Sequence, residues 1–542
     1  MPGKSQQILS WEEYELSLAN AVEQFLPRVL TQVCRDPNSP TFGSFDRNWW
    51  HYKIRDFSSI IVQQGGYCLS EAAVFQKTKE ATLAFRQLAK ASAIFWNIRA
   101  KHRGAFEEYY PWEQGYPPLA FSTLAIAKMV KSGEVDLADV REGLVVAVSQ
   151  LGSRFEAQAG NQQIAGLAAF AAVGALDQAL IQGFDFDALA SRSLKLQNEE
   201  GWYEEYDGPD LGYLAVTIDC LWDLYDTTGE ARFLESAKKA LQLIHKVVLW
   251  VEGSPGMLNA RNTDYLVPYG ITRFAVESDN EVSLQAKEIL SVLFDDLASS
   301  SHFLKAIDDR YICHYVGHSF VRALNLLKEH SGQGPLVAEL SRLEKDILPN
   351  CGYHLVGTRG AKGLVAALKG GVFLWKDGPA RIADYGWLVL EGDTTSVSHW
   401  WSKEWSVEET KGGLRVSGTL FSHQGAQSSP LKHMVLRVLS FTCGSKIIGF
   451  LKSKLIFKNA SGNIRYQRLI QISDEKLLIQ DSFEGHETDA RFVRAPRSSK
   501  RHVSSADSFH IEDLNLFEGF HQEEKVISGE KHLIETVYRR VE

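Results

Sequence analysis

The chain has 542 residues, more than one hydrophobic core usually supports, so its length predicts two large domains. Its composition, 44% hydrophobic and 23% charged residues, is ordinary for a soluble globular protein. The net charge of -9 argues against a general nucleic-acid binder, because such proteins are normally basic.

The N-terminus and the apolar runs carry no export or membrane signal. The sequence Met-Pro-Gly-Lys-Ser-Gln-Gln leads directly into an amphipathic segment and lacks an apolar secretion core. No apolar run approaches the roughly 18 residues that a membrane-spanning helix needs. We therefore expect a cytoplasmic protein with neither a membrane nor a nucleic acid as partner. The six cysteines include no Cys-x-x-Cys pair, which predicts reduced, structural thiols.

Residues 10–346 have the periodicity of amphipathic helices. Ser10 and Glu13 form a capping box, and apolar residues including Tyr14 and Leu18 follow on one stripe. Further helices are predicted over 79–102, 119–131, 136–151, 162–172, 213–226, 230–251, 280–299 and 311–328. Antiparallel helix hairpins either close into a toroid or stack as a solenoid. Because no regular repeat is visible, we predict an α/α toroid over residues 1–350.

After Pro349 the pattern changes to short β-branched and aromatic runs separated by Gly and Asp turns. Strands are predicted over 371–375, 386–390, 413–421, 434–441 and 447–457. A hairpin is predicted from 464–472 and 476–481, with Ser473, Asp474 and Glu475 in its turn. This pattern predicts an antiparallel β-sandwich over residues 351–542, and hence an α+β multidomain chain.

Two segments early in the chain combine aromatic and charged side chains, which suits sugar binding. The first, residues 46–56, supplies Trp49 and Trp50 as stacking platforms and Arg55 as an anion contact. The second, residues 107–114, supplies the candidates Glu108, Trp112 and Glu113. In the alternative interpretation, the first segment anchors the first helix pair and the aromatic residues of the second pack inward.

Three motifs place polar groups at boundaries between a loop and a predicted helix, where helical scaffolds commonly present ligand-binding groups. The candidate residues in them are Asn161, Gln162, Gln163, Tyr203, Glu205, Tyr213, Arg261, Asn262, Asp264 and Tyr265. The alternative for each is structural: a helix cap, a packed tyrosine with a satisfied hydroxyl, or an ion-paired loop.

These motifs resemble those of the heparinase II/III-like polysaccharide lyases, which combine an N-terminal α/α toroid with a C-terminal β-sandwich. Asn161-Gln162-Gln163 is similar to an Asn-Asn-His element that opens a toroid helix in many members. Gly212-Tyr213-Leu214 is similar to a Tyr or Tyr-His element, and the hairpin from Tyr466 to Gly485 resembles the family's sandwich hairpin. Gln163 and Leu214 stand where histidines are common, and no His-x-His metal element appears in the predicted sandwich.

The resemblance implies β-elimination on an acidic, uronate-containing polysaccharide or oligosaccharide, and we expect no cofactor and no metal. Such a reaction removes the proton next to a carboxylate and protonates the leaving oxygen. Asn161, Gln162 and Arg261 are the candidates that neutralise the carboxylate. Tyr213 is the candidate acid and also a candidate base. Tyr265, His314 and His318 are the other candidates for the base.

Two further functions stay open. A glycoside hydrolase would use two carboxylates as acid and base, drawn from Glu108, Glu113, Glu204, Glu205, Asp207 and Asp210. A glycan-binding or assembly protein would keep the fold without catalysis. His314 and His318 have the i, i+4 spacing of metal ligands, but no Glu lies between them and no third ligand is evident, so we predict no metal site.

Overall fold

A computed structural model describes residues 9–102, 104–263, 265–277, 280–294, 303–330, 332, 334–424, 429–447, 460–496, 514–527 and 531–541. Its helices are α1 (Trp11–Gln32), α2 (Arg47–Trp50), α3 (Gln64–Ala72), α4 (Lys79–Lys101), α5 (Tyr116–Lys131), α6 (Leu137–Ser153), α7 (Gly160–Leu176), α8 (Phe186–Leu194), α9 (Leu211–Thr228), α10 (Ala231–Val251), α11 (Tyr269–Glu277), α12 (Glu281–Leu293), α13 (Asp309–Tyr311), α14 (Gly317–Glu329) and α15 (Pro430–Cys443). A π-helical segment, Ile312–Val316, joins α13 to α14.

The N-terminal helices form an α/α toroid, as predicted. Helices α3, α5, α7, α9, α11 and α14 each contact the next, and α14 returns to contact α3, which closes an inner ring. Helices α4, α6, α8, α10, α12 and α1 pack outside that ring. The sequences fit these positions: α7 is rich in Ala and Gly and buried on nearly every face, as an inner helix must be. The predicted capping box of Ser10 and Glu13 is present at the start of α1.

The C-terminal region is an antiparallel β-sandwich, also as predicted. Its strands are β1 (Asp346–Leu348), β2 (Tyr353–Gly357), β3 (Ala361–Ala366), β4 (Val372–Asp377), β5 (Ala380–Asp384), β6 (Trp387–Glu391), β7 (Thr394–Val397), β8 (Ser406–Thr410), β9 (Gly413–Gln424), β10 (Ala460–Ile472), β11 (Leu477–Glu484), β12 (Arg491–Arg494), β13 (Phe517–Glu518), β14 (Phe520–Ile527) and β15 (Lys531–Arg540). One sheet has the order β1-β2-β3-β4-β5-β13. The other has the order β12-β6-β7-β9-β10-β11-β15-β14, with β8 also paired to β9.

The first sheet lies between the toroid and the second sheet. Tyr353, Leu355 and Leu364 on β2 and β3 belong to the hydrophobic core of the toroid. The indole Nε1 of Trp250 on α10 donates to the Gly363 carbonyl at 2.7 Å. Other side chains of the same sheet share a second core with the facing sheet. The sandwich is therefore packed against the toroid through apolar contacts, which fixes its loops relative to the inner helices.

One predicted strand and two predicted helices differ from the structure, and one further predicted strand is not described. The predicted strand over 434–441 is wrong, because this segment lies within α15. Its start has a helix signal that the β-branched run obscured: Ser429 caps the Lys432 N–H, and Pro430 occupies the first turn. The predicted strand over 447–457 lies outside the described residues beyond Ile447. The predicted helix over 311–328 is interrupted by the π-helical segment, and the 280–299 helix ends at Leu293, before residues that are not described.

A buried ion network lies in the sandwich core. Arg468 is fully buried, and its guanidinium donates to Asp481 Oδ1 at 2.6 Å and to Asp384 Oδ1 at 2.8 Å. Asp481 also accepts from the Trp387 indole at 2.8 Å and from the Tyr466 hydroxyl at 2.6 Å. Each carboxylate is therefore paired, and removal of the arginine would leave both buried without their main cation.

We expect Arg468→Met to lower the free energy of unfolding by ~3–5 kcal/mol, the usual effect of breaking a buried ion pair. Arg415→Met is the control, because the pair of Arg415 with Glu408 is partly exposed and contributes about 0–1 kcal/mol. Urea denaturation of the two variants and the wild type measures both effects. Equal losses in the two variants would contradict the assignment.

The same network predicts how stability depends on pH. Burial alone would raise the pKa of the Asp384 carboxyl. The charges of Arg468 and Arg494 outweigh this effect and hold that pKa below its usual value. A carboxyl with a lowered pKa in the folded state stabilises the fold above its unfolded pKa, and this contribution is lost as the pH falls through the folded value. Acid therefore weakens the sandwich through this group.

No helix in the described part of the chain is long and apolar enough to cross a membrane.

Candidate functional site

A cavity of about 410 Å³ lies at the end of the toroid where α5, α7 and α9 begin. Its lining includes Ile61, Glu108, Tyr109, Tyr110, Glu113, Tyr116, Phe121, Asn161, Gln162, Tyr206, Tyr213, Arg261, Tyr311, His314, Tyr315, His433 and Leu436. The N-terminal ends of helices carry partial positive charge. At α7 and α9 the first N–H groups already have acceptors within the protein, such as Glu205 Oε1 for Asn161 and Asp210 Oδ1 for Tyr213. The many tyrosines give rings and hydroxyls that suit sugars.

The first turn of α7 places two amide side chains in the cavity. The Asn161 backbone N–H donates to Glu205 Oε1 at 2.7 Å, which anchors the start of the helix. The Gln162 amide nitrogen donates to the Tyr206 hydroxyl at 3.2 Å. Among the described residues, Asn161 Oδ1 and Gln162 Oε1 are buried and have no hydrogen-bond partner. Buried acceptors without partners are rare, so a ligand with O–H or N–H donors would complete these bonds.

Asp210 connects the two elements that carry Tyr213 and Arg261. It is the N-cap of α9, and its Oδ1 accepts the Tyr213 N–H at 3.1 Å. Its Oδ2 accepts the Arg261 N–H at 3.1 Å and the Thr263 N–H at 3.3 Å. The same carboxylate therefore links the backbones of both residues that the sequence motifs singled out.

The electrostatics of Tyr213 favour a protonated phenol. Burial raises the pKa of the Tyr213 hydroxyl well above its usual value, although the charge of Arg261 opposes this shift. The Arg261 guanidinium lies over the Tyr206 ring, 4.6 Å from its centroid, and so stays close to the cavity. The Tyr213 phenol is thus protonated at neutral pH, with the charge of Arg261 nearby.

His314 enters the cavity from the π-helical segment. Its backbone ψ of -113° departs from helical geometry, and π-bulges of this kind are frequent at functional sites. The ring packs against Phe121 and Tyr315, with centroids 5.3 and 4.3 Å away. Its Nε2 is buried without a partner among the described residues. Burial and the nearby Arg310 charge lower the pKa of His314 well below its usual value, so the imidazole is neutral and can accept a proton.

Glu108 and Glu113 lie on the wall formed by the loop before α5. Glu113 Oε2 accepts backbone N–H groups of Glu108 at 2.9 Å and Tyr109 at 2.7 Å. Burial, with the Glu108 charge second, raises the pKa of Glu113 to about 8. Burial also raises the pKa of Glu108, and the Arg310 ion pair at 2.5 Å opposes that shift. Glu113 is therefore a carboxylic acid near neutral pH.

The other predicted residues around α7 and α9 lie behind the cavity wall. The Gln163 side chain accepts from the Tyr116 hydroxyl at 3.0 Å and donates to Ser193 Oγ at 2.9 Å. Tyr203 is buried, and its hydroxyl bonds to Ser236. The Tyr265 hydroxyl bonds to the hydroxyl of Tyr315, which itself lines the cavity. These groups support the site from behind.

Glu205, Asn262 and Asp264 have different surroundings. Glu205 is buried behind Asn161, and burial raises its pKa well above the usual carboxyl value. The Asn262 side-chain oxygen accepts from Lys369 of the sandwich at 2.5 Å. Asp264 lies outside the described residues.

The remaining candidates pack away from the cavity. Trp49 packs against Phe95 with ring centroids 5.6 Å apart, and the Trp50 indole donates to the Gln32 carbonyl at 2.7 Å. Arg55 forms an ion pair with Asp46. Trp112 packs edge-on against Phe441 of α15, with centroids 5.2 Å apart. The structure thus brings Asn161, Gln162, Tyr213, Arg261, Glu108 and Glu113 together at the cavity, and not these four.

Several lining residues were not predicted from the sequence, notably Tyr206, Tyr311, His433 and Leu436. The last two come from α15 of the sandwich, which the sequence predicted as a strand. The Ser429-Pro430 pair at its start was the available helix signal. In the described part of the chain, no group of three His, Cys, Asp or Glu residues could hold a metal ion.

No protein-family model matches the sequence, and no curated protein matches it either. Among solved structures, the chain is similar to chondroitin AC lyase from Streptomyces coelicolor A3 in complex with chondroitin sulphate. That similarity has 10% identity and a TM-score of 0.48, covering 97% of this chain and 77% of that one. It is also similar to the heparan sulfate lyase HepC from Pedobacter heparinus, with 10% identity and a TM-score of 0.32, covering 97% and 88%. At this identity, neither similarity transfers a residue's role or a substrate to this chain.

Proposed function

We propose that this protein cleaves a uronate-containing polysaccharide or oligosaccharide by β-elimination in the toroid cavity. The observation that carries the proposal is the convergence of Tyr213, Arg261, Asn161 and His314 on one cavity. These residues come from four separate parts of the chain. They supply a proton donor, a cation, a polar amide and a neutral base, which are the groups that the reaction needs.

Binding of the substrate carboxylate depends on positive charge in the cavity, which Arg261 supplies. Arg261 would pair with the carboxylate. The open oxygens of Asn161 and Gln162 would accept sugar hydroxyl groups. When the neighbouring C–H loses its proton, negative charge moves onto the carboxylate, so the same cation stabilises the transition state more than the ground state.

Two proton transfers complete the reaction. His314 Nε2 would take the proton from the carbon next to the carboxylate, because it is neutral and without a partner among the described residues. The Tyr213 hydroxyl would donate its proton to the glycosidic oxygen as the C–O bond breaks. A C=C bond remains in the uronate, and a new hydroxyl remains on the departing sugar. Of the candidate bases besides Tyr213, only His314 lines the cavity within the described residues.

The proposal is tested by incubating the protein with a panel of uronate polymers and following the ultraviolet absorbance of the unsaturated product. New reducing ends are measured in parallel. We expect absorbance and reducing ends to rise together on at least one polymer. Binding without either signal would contradict the proposal and favour the non-catalytic alternative.

Hydrolysis is the second candidate, and one observation favours it. Glu113 lines the cavity, and its pKa of about 8 makes it a possible general acid. Reducing ends that appear without the ultraviolet signal would identify a hydrolase. Glu113→Gln would then abolish cleavage, whereas under elimination it would leave the proton donor Tyr213 in place.

A further inference from the structure

A lysine from the sandwich reaches into the toroid beside the cavity. Lys369 ends the short 3-10 turn Ala367–Lys369 between β3 and β4, and only 2% of it is exposed. Its ammonium donates to the carbonyls of Met257 and Asn259, both at 2.6 Å, and to Asn262 Oδ1 at 2.5 Å. An ammonium has three N–H donors, and all three are used on one toroid loop.

That loop carries Arg261. Asn262 next to it has a φ of +59°, in the left-handed region that a non-glycine residue adopts only when its surroundings compensate. The Lys369 contact to Asn262 Oδ1 supplies one such compensation. The Asn259 side chain extends the network, because its Oδ1 accepts the N–H of Leu211, the first residue of α9. The lysine therefore supports both the loop of Arg261 and the helix start that presents Tyr213.

The burial of Lys369 is unfavourable for the stability of the fold. Burial of an ammonium is unfavourable, and burial lowers the pKa of Lys369 to about 7, with the charge of Asp210 opposing this shift. No carboxylate among the described residues forms an ion pair with Lys369; its hydrogen-bond acceptors are two carbonyls and an amide. An apolar side chain would fill such an interface at lower cost. A lysine at this position is explained if its hydrogen bonds set the geometry of the loop that carries Arg261.

We infer that Lys369 is a positioning residue that holds Arg261 in place for the substrate carboxylate, so that the sandwich completes the active site of the toroid. The inference rests on the proposed function, because it gives Arg261 its role. The active site is then complete only when the sandwich is packed on the toroid. The cavity can catalyse the reaction only when the turn that contains Lys369 contacts residues 257–262.

The test compares Lys369→Met with Lys376→Met. Lys376 on β4 also donates from the sandwich to a toroid carbonyl, that of Glu252, at 3.0 Å, but that carbonyl lies outside the Arg261 loop. We expect Lys369→Met to lower kcat/KM by ~100-fold, mostly through kcat, as for a small displacement of a group that acts in the transition state. Lys376→Met should leave both constants within about twofold of wild type. Equal kcat for Lys369→Met and wild type would overturn the inference.

A second readout does not need activity. The N–H groups of Arg261 and Thr263 both donate to Asp210, so a displaced loop should exchange these hydrogens faster. Faster exchange is expected in Lys369→Met and not in Lys376→Met, and unchanged exchange would overturn the inference. Absence of elimination by the wild type would instead contradict the proposed function. The exchange result would then decide by itself whether Lys369 positions the loop of Arg261.

Asn262→Gly is a second test of the same contact, to be used if the Lys369 variant fails to fold. Glycine suits the positive φ at this position, so the backbone is not strained, while the Oδ1 acceptor of Lys369 is lost. We expect this folded variant to lose kcat by ~10-fold or more, in the same direction as Lys369→Met. Full activity in it would overturn the role of the Lys369 contact.

Discussion

Tyr213→Phe is expected to lower kcat for elimination by ~10³-fold or more, at the upper part of the range for loss of a general acid. The substitution removes only the hydroxyl, and the ring keeps its place at the start of α9. The pKa of Tyr213 is raised by burial, so the wild-type hydroxyl carries its proton at neutral pH and can donate it. KM should change little, since the hydroxyl acts mainly in the transition state.

The measurement is the initial rate of ultraviolet absorbance on the best polymer, with Tyr203→Phe as the matched control. Tyr203 is another buried toroid tyrosine, but its hydroxyl bonds to Ser236 at 2.7 Å behind the cavity. Tyr203→Phe should lose only ~1 kcal/mol of stability and keep its kcat. A Tyr213→Phe variant with wild-type kcat would show that another group protonates the leaving oxygen.

Two of the site residues that sequence alone predicted lie in the first turns of helices, Asn161 in α7 and Tyr213 in α9, whereas Arg261 lies in the loop before α11. Asn161, Tyr213 and Arg261 lie in or beside polar motifs at loop-helix boundaries, and such boundaries are encoded by local residues. Their convergence followed from the toroid, because the inner helices present their N-terminal ends to the same cavity. The fold class was predictable for a related reason, since helical and strand periodicities are local properties.

What sequence could not supply depends on contacts between distant segments. Arg55 looked like an anion contact, yet Asp46 neutralises it, and Trp50 uses its indole N–H on the Gln32 carbonyl. Composition identified the right kinds of side chain, but tertiary pairing decided which way they point. The contribution of α15 was missed for a different reason: its β-branched run predicted a strand, although Ser429 and Pro430 at its start are a local helix signal. Its place beside the toroid loops is set by contacts such as that of Phe441 with Trp112.

The histidine pair shows how one departure from regular structure separates two similar residues. His314 and His318 have the same spacing as many ligand pairs. The π-helical segment places His314 in the cavity, whereas His318 lies beside a smaller space of about 20 Å³ and contacts Gln64 at 3.3 Å. Periodicity predicted one continuous helix, so the different exposure of the two rings to the cavity was not visible in the sequence.

His314→Gln is expected to lower kcat by ~10²–10⁴-fold, the range for removal of a general base. Glutamine retains a polar side chain of similar size but is not basic. His318→Gln is the matched control, because His318 follows four residues later in α14 and does not line the cavity. It should keep kcat within about tenfold of wild type. Comparable losses in the two variants would indicate a packing effect and contradict the role of His314.

The pH dependence of kcat gives an independent test of the same base. Burial and the charge of Arg310 lower the pKa of His314 well below its usual value of 6.5, so the ring stays neutral in mildly acidic solution. The neutral form of His314 is the active base in this proposal. Wild-type kcat should therefore not fall as the pH drops through the usual histidine range, and the acidic limb of its pH profile should occur at a lower pH. In His314→Gly, added imidazole can occupy the vacated space, and we expect it to restore part of the rate with a limb near the pKa of free imidazole. A wild-type limb at the ordinary histidine value, or no rescue by imidazole, would exclude His314 as the base.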